Sequence, residues 1–300
     1  MITIGSRGSQ LALWQARHIQ AKLGELGAET RIEIIKTTGD KITGVALAKV
    51  GGKGLFTKEI EEALLAGAID IAVHSLKDVP SEIPAGLTLA AIPEREDPRD
   101  ALVGHPLDEL GDGARVGTSS LRRGAQLHAL GKGIVIEMLR GNVDTRLRKL
   151  DEGQYDAIVL AAAGLRRLGL EDRIRELLPV TVMCPAVGQG ALAIETRVHS
   201  KDGAAFELAR KLDHAETRLA ITAERALLRT LEGGCQVPIG AYATIEHGSI
   251  HLRAIVASPD GSRIVKGELT GSDAEQAGTS LGRDLLSRGA REILEKVYAA

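Results

Sequence analysis

Pro93-Glu94-Arg95-Glu96-Asp97-Pro98-Arg99-Asp100 divides the chain. The stretch is charged, holds two prolines and has no hydrophobic period. It reads as a hinge or a crossing between domains. On its N-terminal side, residues 1–4, 31–36, 69–74 and 87–92 have the composition of strands. Residues 11–26 and 56–65 have helical spacing, with Leu11, Trp14, Ala16, Ile19 and Leu23 near one face. On its C-terminal side, strand patterns at 114–117, 134–138 and 156–160 alternate with helical patterns at 121–130, 143–150 and 161–168. Such alternation predicts parallel sheets covered on both faces.

A second irregular stretch, 179–190, contains Pro185, Gly188 and Gly190. The strand pattern at 191–196 that follows it can return to the first sheet. The first domain is then discontinuous and the second is inserted in it. Two connecting segments make a hinge for a binding cleft. The last third has a different pattern. A helix over 216–231 ends at Gly233. Strands at 238–245, 249–257 and 263–270 are joined by His247-Gly248 and Asp260-Gly261, which are hairpin signals. Residues 274–298 read as a closing helix. The expected architecture is α/β, with two α/β lobes, a cleft and a hinge, plus a small C-terminal α+β domain. The expected boundaries are 1–93 with 191–213 for the first domain, 98–184 for the second and 216–300 for the third.

Composition narrows the function. A length of 300 residues suits two or three domains. Aromatic residues are only 2%, so the core must be built from Leu, Ile, Val and Ala. Two cysteines, Cys184 and Cys235, do not make a disulfide framework. No apolar run approaches the length of a transmembrane helix. Met1-Ile2-Thr3-Ile4-Gly5 reads as a strand rather than a signal peptide. A reducing cytoplasm is the expected compartment.

The total charge is nearly balanced, at 38 Lys/Arg against 40 Asp/Glu, but it is segregated. Residues 115–175 hold 12 Lys/Arg against 7 Asp/Glu, and the rest of the chain 26 against 33. Arginine forks suit carboxylates and phosphates. A nucleic-acid groove would need stacking aromatics, which are nearly absent. Small molecules bearing several anionic groups fit better.

Two segments repeat one device. Ile4-Gly5-Ser6-Arg7-Gly8-Ser9 and Val116-Gly117-Thr118-Ser119-Ser120-Leu121-Arg122-Arg123 each follow a strand and open a helix. Helix N-termini with nearby arginines attract anions. Ordinary capping beside a solvated arginine gives the same pattern in either segment alone, and its presence in both favours anion binding. Arg140, Arg146, Arg148, Arg166 and Arg167 extend the basic set. Gly51-Gly52-Lys53-Gly54 is no Walker loop, because Leu47 and Gly54 stand where Gly and Ser or Thr are required. With Lys49 and Thr37-Thr38-Gly39-Asp40 it reads as a basic flap or as a plain surface loop.

His74-Ser75-Leu76-Lys77-Asp78-Val79-Pro80 closes an apolar strand, the place where ligands bind in open α/β sheets. Asp78 could act there as acid, base or cation stabiliser, or form a surface pair with Lys77. His74 reads as a core histidine. No metal-ligand spacing is present. Cys235, in Glu232-Gly233-Gly234-Cys235-Gln236-Val237-Pro238, lies between glycines and a proline. The loop can present a thiol. A small buried hydrophobe is the competing reading.

Together these motifs, with Leu139-Arg140-Gly141-Asn142-Val143 and Pro185-Ala186-Val187-Gly188-Gln189-Gly190, resemble the porphobilinogen deaminases (hydroxymethylbilane synthases) along essentially the whole chain. The resemblance implies two lobes like type II periplasmic binding proteins and a third domain. It implies a dipyrromethane cofactor joined to Cys235 by a thioether. It implies a transferase that condenses four porphobilinogens head to tail, with loss of ammonia, and hydrolytically releases hydroxymethylbilane for haem biosynthesis.

By the resemblance, Asp78 is the catalytic carboxylate and stabilises a cationic azafulvene. Cys235, Lys77, Asp78, Ser120, Arg122, Arg123 and Arg146 hold the cofactor. Arg7, Ser9, Ser75, Arg140, Arg146, Arg167 and Gln189 hold substrate, and Lys49 and Lys53 belong to a flap. Gln10 stands where some members have proline, and Asp144 adds a negative charge beside Arg140 and Arg146. A cytoplasmic monomer without nucleic-acid or membrane partners is expected. A two-lobed solute-binding protein for an anionic ligand is the alternative, but it leaves Cys235 unexplained.

Overall fold

A computed structural model describes residues 1–41, 54–198, 203–233 and 237–299. The chain forms two compact units, Met1–Glu96 with Gly190–Arg218 and Asp97–Gln189 with Leu219–Ala300. In chain order, the first unit contains β1 (Ile2–Ser6), α1 (Gln10–Glu25), β2 (Thr30–Ile34), the single turn α2 (Thr38–Lys41), α3 (Lys58–Leu65), β3 (Ile71–Ser75) and β4 (Leu87–Ala91). The second unit then supplies β5 (Asp100–Gly104), β6 (Arg115–Gly117), α4 (Leu121–His128), β7 (Val135–Glu137), α5 (Val143–Asp151), β8 (Ala157–Ala161), α6 (Ala162–Arg167) and β9 (Glu176–Leu177). The chain returns to the first unit for β10 (Leu192–Arg197) and α7 (Ala204–Arg210). Helix α8 (Ala215–Thr230) leads to β11 (Ile239–Glu246), β12 (Ser249–Ala257), β13 (Ile264–Gly271), α9 (Ala274–Leu285) and α10 (Arg291–Tyr298).

The first sheet has the order β2-β1-β3-β10-β4. One face packs Ile4, Ile71, Val73 and Ile194 against Ala16, Ile19 and Leu23 of α1 and Ala205 and Ala209 of α7. The other packs Ala72 and Leu87 against Ile60 and Leu64 of α3. The second sheet has the order β7-β6-β8-β5-β9 and is likewise covered on two faces, by separate apolar clusters. The third is the antiparallel meander β11-β12-β13, packed on α8, α9 and α10. The architecture is therefore α/β with a small α+β portion, and aliphatic residues make the cores.

The expectation of parallel sheets needs correction. Strands β1, β2 and β3 are parallel, as are β6, β7 and β8. Strand β10 runs antiparallel to β3 and β4, and β5 antiparallel to β8 and β9. The reason lies in where each crossing enters. Leu192 pairs with Ser75 and Asp100 with Ala161, the last residues of β3 and β8. A strand that starts at the carboxyl edge can only run back toward the other edge.

Two further elements differ from the sequence reading. Asp100, read as part of the hinge, opens β5. The closing helix is broken into α9 and α10, because Gly289 takes φ +101°, which no α-helix accommodates. The His247-Gly248 turn has φ of +51° and +77° and joins Glu246 directly to its partner Ser249, a two-residue hairpin. The loop at Asp260-Gly261 is longer, since the flanking pair is Ala257 with Ile264.

Candidate active site

In the first unit, parallel β1 and β3 bring two predicted segments to one edge. Ser9 caps α1, its Oγ accepting from the Ala12 amide at 3.3 Å. The Arg7 guanidinium lies over the Phe56 ring, 4.2 Å from its centroid. Ser75 ends β3, and its Oγ accepts from Gln15 Nε2 at 2.8 Å. Residues Leu76–Asp78 then form a 3₁₀ turn. The Leu76 amide donates to the Ala191 carbonyl at 3.0 Å, and the Val79 amide closes the turn on the Leu76 carbonyl. Lys77 and Asp78 are both half-buried. Asp78 is thus a carboxylate on a fixed turn at the carboxyl edge, the position that ligand sites use in such sheets.

In the second unit the basic residues follow three parallel strands out of one edge. Arg122 and Arg123 follow β6, Arg140 and Arg146 follow β7, and Arg167 follows β8. Ser120 caps α4, its Oγ accepting from the Arg123 amide at 3.4 Å. Arg146 Nε donates to the Gly141 carbonyl at 2.8 Å, and Gly141 has φ +115°. Arg146 thereby fastens the Arg140-Gly141-Asn142 turn. Arg140 and Arg146 are half-buried, and Arg167 is buried.

Sequence reasoning missed the residue that organises this edge. Asp100 has no exposed surface and meets both adjacent arginines. Its Oδ2 accepts from Arg122 Nη1 at 2.7 Å, and its Oδ1 accepts from Arg123 Nη2 at 2.7 Å and Nε at 2.9 Å. Gln189 Nε2 adds a bond to Oδ1 at 3.0 Å and another to the Pro98 carbonyl at 2.7 Å. Arg122 also donates to the Cys184 carbonyl, and Arg123 to the Val159 carbonyl. Burial would raise the Asp100 carboxyl, but the two guanidiniums outweigh it and hold it well below the usual carboxylate range. The available signal was an aspartate directly before Ala101-Leu102-Val103, a buried strand, where an ionised group needs partners.

Asp100 carries a stability prediction. Its depressed folded value contributes stability at pH above its ordinary 3.8, which is lost as pH falls through the folded value. At neutral pH, Asp100→Asn leaves two buried guanidiniums without their carboxylate. Breaking a buried pair in this way costs about 3–5 kcal/mol. The expected result is a much lower urea midpoint, with the difference from wild type shrinking toward acid pH. Equal midpoints at neutral pH would contradict this account of the cluster.

Cys235, Lys49 and Lys53 lie outside the described residues. The flanks of Cys235 are placed in the second unit. Leu231 and Val237 are both buried in the core of the third sheet. Nearby, Glu224 is fully buried and accepts from the Gly188 and Ala243 amides at 2.8 and 2.9 Å. It links α8, the 179–190 segment and β11.

Cys184 is 2% exposed, and burial pushes its thiol up to about 12. Its carbonyl and Sγ lie 2.9 and 3.1 Å from where a Cβ on Gly240 would stand, so β11 needs glycine there. His74 is buried, with Nε2 3.0 Å from Glu195 Oε2. Among the described residues no group of His, Cys, Asp and Glu could hold a metal ion, and no helix is long and apolar enough to cross a membrane.

Family comparison bears on this geometry directly. The model "Porphobilinogen deaminase, dipyromethane cofactor binding domain" matches residues 2–205, and "Porphobilinogen deaminase, C-terminal domain" matches residues 218–287. The chain belongs to the porphobilinogen deaminase family. Membership carries deaminase function on porphobilinogen, a transferase reaction of tetrapyrrole biosynthesis, and a dipyrromethane cofactor. The cofactor-domain match contains both carboxyl edges, from Arg7 and Asp78 to Arg167 and Gln189. Cys235 falls in the C-terminal match.

Among solved structures, the chain is similar to a periplasmic substrate-binding protein of an ABC transporter from Coxiella burnetii. That match has 14% identity and a TM-score of 0.45, covering 75% of this chain and 97% of that one. It is similar to a TRAP periplasmic solute binding protein from Desulfovibrio salexigens at 11% identity and TM-score 0.43, covering 72% and 73%. A nutrient binding protein from Burkholderia cenocepacia bound to methionine is similar at 14% identity and TM-score 0.42, covering 70% and 90%.

Proposed function

We propose that this porphobilinogen deaminase carries its dipyrromethane on Cys235 through a thioether, condenses four porphobilinogens stepwise, and releases hydroxymethylbilane by hydrolysis. The observation that carries the reading is the basic edge of the second unit. Arg122 and Arg123 share a single carboxylate, Asp100, and Arg140, Arg146 and Arg167 leave the same edge. A dipyrromethane bears several carboxylates, and a cluster with two guanidiniums to one carboxylate favours more anions. The residues present therefore fit the group. Bound, it supplies a primer with a free pyrrole position.

The chain's own residues do the rest. Cys235 is the tether. Arg122, Arg123 and Arg146, with Lys77 and Ser120, hold acetate and propionate groups of the cofactor. Arg7, Ser9, Ser75, Arg140 and Arg167 orient those of the incoming pyrrole, whereas Gln189, expected among them, is fully buried with its Nε2 on Asp100 and the Pro98 carbonyl and supports the cluster instead. Arg122 and Arg123 are fixed by Asp100, so they meet an anion without losing side-chain freedom. Asp78 faces the positive charge that forms as porphobilinogen loses ammonia, and a fixed carboxylate lowers the energy of that cation. Lys49 and Lys53, outside the described residues, contribute cations to the site. The enzyme works as a cytoplasmic monomer.

The test is direct. Purified protein incubated with porphobilinogen should release one ammonia per pyrrole consumed and give a linear tetrapyrrole. Tight binding of porphobilinogen with no ammonia released would favour the solute-binding alternative instead.

A further inference from the structure

Outside the site just described, the first unit buries three titratable groups at one face of its sheet. His74 lies on β3, Glu195 on β10 and Glu61 on α3, which packs over that face of the sheet. They are 5%, 0% and 7% exposed. Glu195 Oε2 meets His74 Nε2 at 3.0 Å, while Glu195 Oε1 and Glu61 Oε1 are buried with no hydrogen-bond partner among the described residues. With one imidazole on this face, bonded to Glu195, two buried carboxylates cannot both be ionised without a large cost.

The surrounding charges do not resolve the conflict. Lys58 on α3 is turned to Glu62, at 3.9 Å. Arg197 on β10 donates to the carbonyls of Leu64 and Ile69 and pairs with Asp70. Strand β4 offers no titratable group. Burial, together with the charges of Glu195 and Glu62, pushes the Glu61 carboxyl up, and the opposing pull of the Thr57 hydroxyl and His74 does not cancel it.

We propose that Glu61, His74 and Glu195 form a buried proton store that positions the Leu76–Asp78 turn. Glu61 keeps the proton and Glu195 accepts the imidazole bond. That bond joins β3 to β10 one residue before Ser75, and the Leu76 amide joins the same two segments through Ala191. While Glu61 is neutral, α3 sits on the pair without repulsion. When Glu61 ionises, a charged carboxylate whose Oε1 has no hydrogen-bond partner among the described residues is buried between α3 and the sheet. Helix α3 then loosens from the sheet, and the end of β3 loses its support. His74, Glu195 and Glu61 are positioning residues in this account.

The sign follows from linkage. A raised carboxyl contributes stability below its ordinary value, 4.5, and loses it as pH rises through the folded value. The test compares wild type with Glu61→Gln, which copies the neutral form, from about pH 5 to about pH 8. Two readouts are taken: the urea midpoint, and hydrogen exchange at the Leu76 and Val79 amides corrected for intrinsic rate. Expected at the acid end is agreement of the two proteins in both. Toward alkaline pH, wild type should lose protection at these amides, by up to about tenfold per pH unit, and its midpoint should fall below that of the variant.

Equal pH dependence of protection in the two proteins overturns the proposal. So does a midpoint difference that grows while Leu76 and Val79 stay equally protected, because a merely buried carboxyl would give that result. If Glu61→Gln does not fold, Glu61→Met, which also removes the ionisable group and keeps the Glu195–His74 bond, is measured in its place with the same two outcomes. No substrate is used, so the result stands apart from the proposed catalysis. Only the importance given to Asp78 rests on that reading.

Discussion

Asp78→Asn should lower the rate of porphobilinogen consumption by about 10²–10³-fold while leaving the fold intact. Asparagine has the shape of aspartate and keeps a carbonyl that accepts a hydrogen bond. It lacks the negative charge. Loss of ammonia from porphobilinogen creates a cationic pyrrole, and a fixed carboxylate opposite it is worth more than the same group in water, because it needs no reorientation. The turn that carries Asp78 is held by backbone bonds from Leu76 to Ala191 and from Val79 to Leu76, neither of which involves its side chain. The substitution should therefore spare the turn. Ammonia release at saturating substrate measures the effect, and intact mass checks that a covalent adduct still forms. Turnover near the wild-type rate would remove Asp78 from the mechanism.

The two βα series and the meander were legible because each element announces itself locally. Apolar runs bounded by glycine and proline marked the strands, and His247-Gly248 marked a turn whose geometry only such residues adopt comfortably. Strand direction was not local. It depends on the edge at which a crossing enters, and both Asp100 and Leu192 enter at the carboxyl edge. The concentration of basic residues between 115 and 175 was legible. Their pairing was not, because Asp100 lies 22 and 23 residues before its arginine partners and sat inside a charged run. The core role of His74 was legible from its apolar strand. Its partner Glu195 is 121 residues away, on a strand that sequence placed in the sheet but whose register nothing local specified.

Cys235→Ala should abolish both the covalent dipyrrole and turnover, the largest effect expected of any single substitution here. Alanine cannot form a thioether. Gly233 and Gly234 precede the thiol in the sequence and Pro238 follows it closely. Without the tethered carboxylates, the arginines at the edge of β6, β7 and β8 lose balancing charge. The variant should then also have a lower urea midpoint.

Cys184 is the internal control. Its thiol is buried and pushed up to about 12, so no useful thiolate exists near neutral pH, and a thiol in that state is a poor nucleophile. Cys184→Ala should therefore keep adduct and activity, apart from any loss of packing against Gly240. Intact mass of the wild-type protein, Cys235→Ala and Cys184→Ala tests the central claim most directly. The account predicts the mass of a dipyrromethane on wild type and on Cys184→Ala, and the bare chain mass for Cys235→Ala. An adduct that persists in Cys235→Ala, or that disappears only in Cys184→Ala, would contradict it.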